Sequence, residues 1–87
     1  MLLNPKLVAR AQKIFAPNEV HVAITKLTAE NFEREPYRVL CAILKVSNGS
    51  LDTLSYAIKL AQTDYRDILV SAGFEHDVNA HHLWVDS

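Results

Sequence analysis

The sequence predicts an all-α fold, namely a single-domain bundle of five or six short helices. Apolar side chains recur every three to four positions along most of the chain, which is the spacing that gives a helix one apolar face. Only two glycines and three prolines interrupt the 87 residues, so long stretches are free to coil. A chain of this length builds one hydrophobic core, because each half of it would be smaller than a self-standing domain.

A first helix is predicted from the stretch NPKLVARAQKIFAP. Asn4 has the side chain of an N-cap, and Pro5 suits the first helical position, where its missing N–H costs nothing. Pro17 disfavours helical geometry at the residue before it and so ends the helix. One face of this helix is apolar, and the opposite face has a basic stripe of Lys6, Arg10 and Lys13.

Residues 18–28 fit two patterns. Val20, Val22 and Ile24 alternate as they would in a strand, whereas a larger set matches the helical spacing. We predict a helix, because the sequence has no second strand-like run and an unpaired strand leaves backbone groups without hydrogen bonds. The residues that match the helical spacing are Val20, Ala23, Ile24 and Leu27.

The most apolar helix is predicted over residues 36–48, after a polar connection, AENFERE, in which we expect a short helical turn around Phe32. Pro36 lies near its first turn, and the dipeptide NG ends it. Apolar residues cover most of its circumference and leave only a narrow polar stripe through Arg38 and Lys45. This pattern places the helix at the centre of the bundle.

Two further helices are predicted over residues 51–62 and 64–72. Ser50 is the N-cap of the first, and Asp52 lies in its first turn, where the helix dipole favours an anion. In the stretch TDYRDILVSAG, we expect Thr63 to be the N-cap of the second helix, followed by Asp64 at the first helical position. Asp67 then falls in the first turn. Gly73 supplies the C-terminal stop.

Arg66 is the residue of this stretch that a helix start does not explain. No acidic residue lies three or four positions from it, as an intrahelical ion pair would need. We therefore expect its guanidinium to reach another element and to pair with Glu33 or Glu35.

The C-terminal stretch FEHDVNAHHLWVDS predicts a short final helix capped by Asp77. Trp84 would then close one end of the core. The residues expected to face inward are Ala80, Leu83 and Trp84.

Charge and cysteine content limit the classes of function. Nine basic and ten acidic residues give a net charge of −1, so no overall field draws the protein to nucleic acid or to an anionic membrane. Residues 1–45 have a net charge of +3 and residues 46–87 of −4, which we expect to help the two halves attract each other within one fold, although a head-to-tail self-association is the alternative. The lone Cys41 excludes an intrachain disulfide and favours the cytosol. We expect neither secretion nor a membrane span, because no basic region precedes an apolar run and no apolar segment approaches about 20 residues.

Metal binding is one interpretation of the histidine-rich end. His76, Asp77, His81 and His82 are the candidate ligands, and the pairs Asp77/His81 and His82/Asp86 are each spaced four residues apart, as on one helix face. The two pairs point in different directions, and no thiolate joins them. A solvated histidine-rich end is the more common meaning of such a stretch.

Nucleic-acid binding is a second interpretation, since residues 51–72 form two helices with a tight junction, as a helix-turn-helix does. The charges oppose it. Asp64 and Asp67 would stand at the end of the second helix that meets base edges and phosphates, with Arg66 alone to offset them. The basic stripe on the first helix is typical of a solvated face.

The sequence does not favour an enzyme, and it indicates no cofactor. Cys41 lies in the most apolar segment, where a thiol is normally an inert core group with a raised pKa. The chain has no glycine-rich phosphate loop and no serine elbow. Tyr56 and Tyr65 fit core tyrosines as well as they fit acids.

Association with another protein, or with a second copy of the chain, is the favoured function. Phe74, Trp84 and Val85 could form an apolar surface patch, although Trp84 could equally close the core. We expect the binding surface where the polar helix start meets residues 76–84. The candidate binding residues are Asp64, Arg66, Asp67, Phe74 and Trp84.

Two segments, RVLCAILKVSNGSLDTL and IKLAQTDYRDILVSAGF, resemble a recurring class of short bacterial proteins that have no assigned function. The stretch DYRD is the most specific part of this resemblance, which runs from Arg38 to Phe74 and covers under half of the chain. The resemblance implies a bacterial cytosolic helical domain. It implies no activity, ligand or catalytic residue.

Overall fold

Six helices make up the protein in the computed structural model, which describes residues 3–86, and no strand occurs in that range. The all-α prediction is therefore confirmed, and residues 18–28 contain a helix, not a strand. Residues 30–35 hold no helix, so the turn expected around Phe32 is absent. None of the helices within residues 3–86 is both long and apolar enough to cross a membrane. The helices are α1 (Pro5–Ile14), α2 (Val20–Thr28), α3 (Pro36–Ser47), α4 (Leu51–Thr63), α5 (Tyr65–Ala72) and α6 (Ala80–Asp86).

Side-chain caps fix several helix ends where the sequence predicted them. Asn4 Oδ1 accepts a hydrogen bond from the backbone N–H of Lys6 at 2.9 Å, and Ser50 Oγ accepts one from the N–H of Thr53 at 3.2 Å. At the end of α5, Gly73 has a φ of 79°, the left-handed conformation that glycine adopts without strain. These three ends are local consequences of the sequence.

The start of α5 differs from the prediction by one residue. Thr63 is the last residue of α4, and its hydroxyl donates to the Lys59 carbonyl at 3.1 Å, so it is not available as an N-cap. Asp64 is the N-cap instead, and its Oδ1 accepts from the N–H of Arg66 at 3.0 Å. One extended residue therefore separates α4 from α5.

Helix α3 lies at the centre of the bundle, as predicted, and packs against α1, α4, α5 and α6. Arg38 does not lie on an exposed polar stripe, however, because its side chain is buried and the residue is only 8% exposed. Its guanidinium donates hydrogen bonds to Glu35 and to the Phe74 carbonyl, which offset part of the cost of burying its charge, while its buried Nε has no hydrogen-bond partner among the described residues. Lys45 is exposed, as expected.

A single hydrophobic core receives side chains from all six helices. Cys41 is fully buried within it, which confirms its predicted place in the core. The largest fully buried side chains are Phe74, Leu7, Leu27, Ile43, Leu44, Leu54 and Ile68.

Helix α6 buries a different face from the one that the sequence predicted. His81 and Val85, four residues apart on one face, are its buried residues, whereas Leu83 lies on the opposite side and is 73% exposed. Asp77 Oδ1 accepts from the N–H of Asn79 at 2.8 Å, so Asp77 caps the turn that leads into α6 and not the helix itself. The prediction that Leu83 faces inward is therefore wrong.

The two glycines allow a matched test of the packing between α1 and the α3–α4 turn. Both have positive φ, so replacement by alanine strains the backbone at each position by about 1 kcal/mol. At Gly49 the new Cβ would also overlap the Ile14 carbonyl oxygen, whereas at Gly73 the nearest atom of a neighbouring residue is Lys45 Nζ at 3.9 Å. We expect Gly49→Ala to lower the free energy of unfolding by roughly 3 kcal/mol or more and Gly73→Ala by only about 1 kcal/mol, as measured by urea denaturation. Equal losses in the two variants would contradict the close approach of α1 to this turn.

Candidate functional site

A polar groove of about 690 Å³ lies between residues 30–34 and residues 61–66. Its two walls are joined by a hydrogen bond from Gln62 Nε2 to Glu30 Oε1. Glu33 and Arg34, both exposed, line one wall, and Asp64 and Arg66 line the other. The groove thus brings two of the predicted binding residues, Asp64 and Arg66, into one surface with a segment of the α2–α3 connection.

Arg66 pairs with the cap of its own helix and not with Glu33 or Glu35. Its Nε lies 3.1 Å from Asp64 Oδ1 and its Nη2 lies 3.0 Å from Asp64 Oδ2, a two-point contact. The extended backbone of Asp64 brings this carboxylate beside the Arg66 side chain, so an ion pair forms between residues two positions apart. Hydrogen bonds from Arg66 lower the pKa of Asp64. Glu35 is engaged by Arg38 instead.

An apolar groove of about 600 Å³ adjoins the polar one. It lies between α1, α2 and the start of α3, and residues 30–32 line both grooves. Phe32 is half-buried at this shared border and packs against the core. The apolar side chains that line this groove are Leu3, Leu7, Leu27, Phe32, Pro36, Tyr37 and Leu40.

The apolar surface patch expected at Phe74, Trp84 and Val85 is not formed. Phe74 is 1% exposed and Val85 is also buried. The N–H of Gly73 bonds to the Val70 carbonyl and that of Phe74 to the Leu69 carbonyl, a helix ending that turns Phe74 back onto the core. Trp84 is half-buried, with the guanidinium of Arg10 at 4.6 Å from the centre of its ring.

The histidine-rich end does not assemble into a metal site. His76 is exposed and contacts Glu75, whereas His81 is buried and its ring lies 3.9 Å from the ring of His82. Within residues 3–86, no group of three or more His, Cys, Asp or Glu side chains is placed to hold a metal ion. The closeness of His76, Asp77, His81 and His82 in sequence therefore does not become a cluster in space.

The α4–α5 pair keeps the charges that the sequence predicted at its junction. Asp64 caps α5 and Asp67 lies in its first turn. Asp64 and Arg66 face residues 30–34 across the polar groove, whereas α6 packs against α1 and α3. The helix start and the C-terminal segment thus contribute to different surfaces.

Two reactive groups of α3 are held in their protonated forms. Burial raises the pKa of the Cys41 thiol to about 12. Burial also raises the pKa of Tyr37 to about 12, and the neighbouring Cys41 adds to the shift. Neither group is a nucleophile near neutral pH, because the reactive species is the thiolate or phenolate.

Sequence reasoning missed the grooves because their central residues have no strong local signal. Phe32 stands alone among polar residues, and Tyr37 and Leu40 belong to a helix that is apolar almost all round. An isolated large aromatic residue in a polar connection was the available signal, since such a ring seldom stays fully solvated.

Comparisons with known proteins give no match. No family model, no curated protein and no solved structure matches the chain. The resemblance to a class of short bacterial proteins therefore stays a prediction, and function is inferred below from the two grooves and the chemistry of their walls.

Replacement of Arg38 tests its place between the helices. In Arg38→Met the Phe74 carbonyl and the Glu35 carboxylate both lose their donor, so we expect the free energy of unfolding to fall by roughly 2–3 kcal/mol in urea denaturation. The matched control is Arg34→Met, an exposed arginine four residues earlier, which should change stability by no more than about 0.5 kcal/mol. An Arg38→Met protein as stable as the control would show that the buried hydrogen bonds do not support the fold.

Proposed function

We propose that this protein is a small helical protein–protein interaction module that binds a segment of a partner protein across its two adjoining grooves. The single observation that carries the proposal is the shared wall at residues 30–32, which places an apolar groove directly beside a charged one. Protein interfaces have this composition, with an apolar centre next to a polar rim.

The apolar groove supports the first part of this proposal, namely that the partner segment has an apolar anchor. Its volume of about 600 Å³ is large enough for one or two large apolar side chains. Leu7 and Leu27 form its buried floor, whereas Tyr37 and Leu40 are only half-buried, so a partner side chain would cover surface that water now reaches. We infer that the partner segment inserts an aliphatic or aromatic anchor here.

The polar groove supports the second part of the proposal, namely that the partner segment also has a charged residue next to its apolar anchor. Glu30 is engaged by Gln62, and Asp64 is engaged by Arg66. Arg34 is exposed, and no hydrogen bond or ion pair within residues 3–86 occupies its guanidinium. Because a guanidinium recognises a carboxylate through two parallel hydrogen bonds, we propose that an acidic side chain of the partner binds Arg34.

A protein partner fits the grooves better than a nucleic acid does. The polar groove has three carboxylates, those of Glu30, Glu33 and Asp64, against two guanidiniums, so it lacks the extended basic surface that binds a phosphate backbone. We also propose binding without catalysis, since the Cys41 thiol is buried and protonated. We place the protein in the bacterial cytosol, where a free thiol stays reduced.

The experiment selects peptides from a displayed random library on the immobilised protein and then measures their affinities in solution. We expect the enriched peptides to share a large apolar residue a few positions from an Asp or Glu. Thr28→Trp, which places a bulky ring at the exposed rim of the apolar groove, should weaken their binding about tenfold or more, equal to roughly 1.4 kcal/mol.

Each variant has a matched control. Thr25→Trp replaces an exposed threonine on the same helix that does not line the groove, and like Thr28 it donates to a backbone carbonyl of α2. Arg34→Ser should also weaken binding, whereas Lys59→Ser, at an exposed site on α4, should not. No enrichment, or binding that is insensitive to both Thr28→Trp and Arg34→Ser, would refute the proposal. So would a homodimer in sedimentation that Thr28→Trp dissociates, because a second copy would then be the occupant.

A further inference from the structure

The contact between α6 and the rest of the bundle contains a buried histidine. His81 is 6% exposed, and its ring meets Tyr37 edge-on at 5.5 Å and Phe74 at 6.3 Å between ring centres. Its Nδ1 atom is buried and has no hydrogen-bond partner among the described residues. A protonated imidazole donates from both nitrogens, so protonation here would bury a charged donor with no acceptor.

The charges around His81 make protonation still less favourable. Burial lowers its pKa most, followed by the neighbouring His82 ring and the buried Arg38 guanidinium. Glu35 and Asp77 act in the opposite direction, but the carboxylate of Glu35 is already paired with Arg38. The other titratable or charged groups at this interface are Tyr37 and Cys41 from α3, Lys6 and Arg10 from α1, and Asp86 from α6 itself.

Apolar contacts and one exposed ion pair also hold α6: Ala80 and Trp84 pack against the core, and the ring of Trp84 lies 6.3 Å from that of Phe74. Val85 is buried, Trp84 is half-buried against Arg10, and Lys6 Nζ lies 3.1 Å from Asp86 Oδ1 in an exposed ion pair. An exposed pair of this kind contributes little stability. A helix of seven residues does not persist alone in water, so α6 exists as a helix only while it is docked.

We propose that α6 is an acid-released latch: neutral His81 keeps it docked on α1 and α3, and protonation of His81 frees it while the other five helices stay folded. The direction in which docking of α6 changes with pH follows from proton linkage. Released α6 binds a proton with the ordinary pKa of about 6.5, whereas docked α6 binds it only at lower pH, so docking weakens as the pH falls through and below about 6.5. Above that range the neutral ring leaves the latch closed.

Release of α6 would also change the apolar groove, and the effect of this change on binding rests on the proposed function. Tyr37 lines that groove, and its ring also contacts His81 and lies 5.8 Å from His82. When α6 leaves, this ring loses the packing on one of its sides and the groove loses a fixed wall. Peptide binding should therefore weaken over the same pH range in which the latch opens.

Trp84 is the only tryptophan of the chain and lies on α6, so its fluorescence reports docking directly. We would follow it from about pH 8 to about pH 4.5 on the full chain, with far-UV circular dichroism for the remaining helices. We expect a red shift with a midpoint below about pH 6.5 that is accompanied by only a small loss of helicity. His81→Phe, which fills the site without a proton acceptor, should abolish the shift, whereas His76→Phe at an exposed position should leave it unchanged.

Two further measurements keep the test decisive if His81→Phe folds poorly. In the wild-type protein, NMR titration of the imidazole protons should give His81 a pKa below the ordinary value of about 6.5. Lys6→Gln, which removes the outer ion pair, should move the fluorescence midpoint upward by roughly half a pH unit or less. A folded His81→Phe that keeps the transition, a His81 pKa no lower than about 6.5, or loss of all helicity together with the Trp84 shift would each overturn the latch. Because no peptide is needed for these measurements, the latch can stand even if no peptide binds the grooves.

Discussion

The rest of the structure depends on the buried guanidinium of Arg38, which acts on three separate parts of the chain. Its Nη1 donates to Glu35 at the start of α3, its Nη2 donates to the Phe74 carbonyl beyond α5, and its charge acts on His81 of α6. A buried charge is costly unless it is hydrogen-bonded, so Glu35 and the Phe74 carbonyl must keep their positions around the guanidinium. The apolar core provides the bulk of the stability, and the hydrogen bonds of Arg38 join the start of α3 to the segment beyond α5.

The Glu35–Arg38 contact also shapes the grooves. Glu35 has a φ of 45° and a ψ of 53°, the left-handed region, although it is not glycine and precedes Pro36, which favours extended backbone at that position. Such a conformation costs on the order of 1–3 kcal/mol and persists only where its surroundings enforce it. The ion pair to Arg38 helps to enforce it. The direction of residues 30–34, of which 30–32 line both grooves, is thereby linked to a contact inside the bundle.

Local chemistry explains which features the sequence could predict. Asn4, Ser50 and Gly73 end their helices through contacts within four residues, and these ends were predicted. Arg38 was placed on the surface because its decisive partner, the Phe74 carbonyl, is 36 residues away along the chain. The one-residue error at Thr63 arose because threonine and aspartate both cap helices, and only the structure shows which side chain is free to do so. For the site, the sequence located Asp64 and Arg66, but their facing wall required the tertiary fold.

Small size is the reason that separate surfaces of this protein can influence each other. With one core, a central helix must contact most of the others, and α3 packs against α1, α4, α5 and α6. Neighbouring residues of α3 therefore belong to more than one interface: Tyr37 lines the apolar groove and also packs on α6, while Arg38 holds the connection that borders that groove and lies beside His81. No long pathway of residues is needed to link a proton on α6 to the groove, because Tyr37 contacts both. The coupling is a direct consequence of placing one helix between two surfaces.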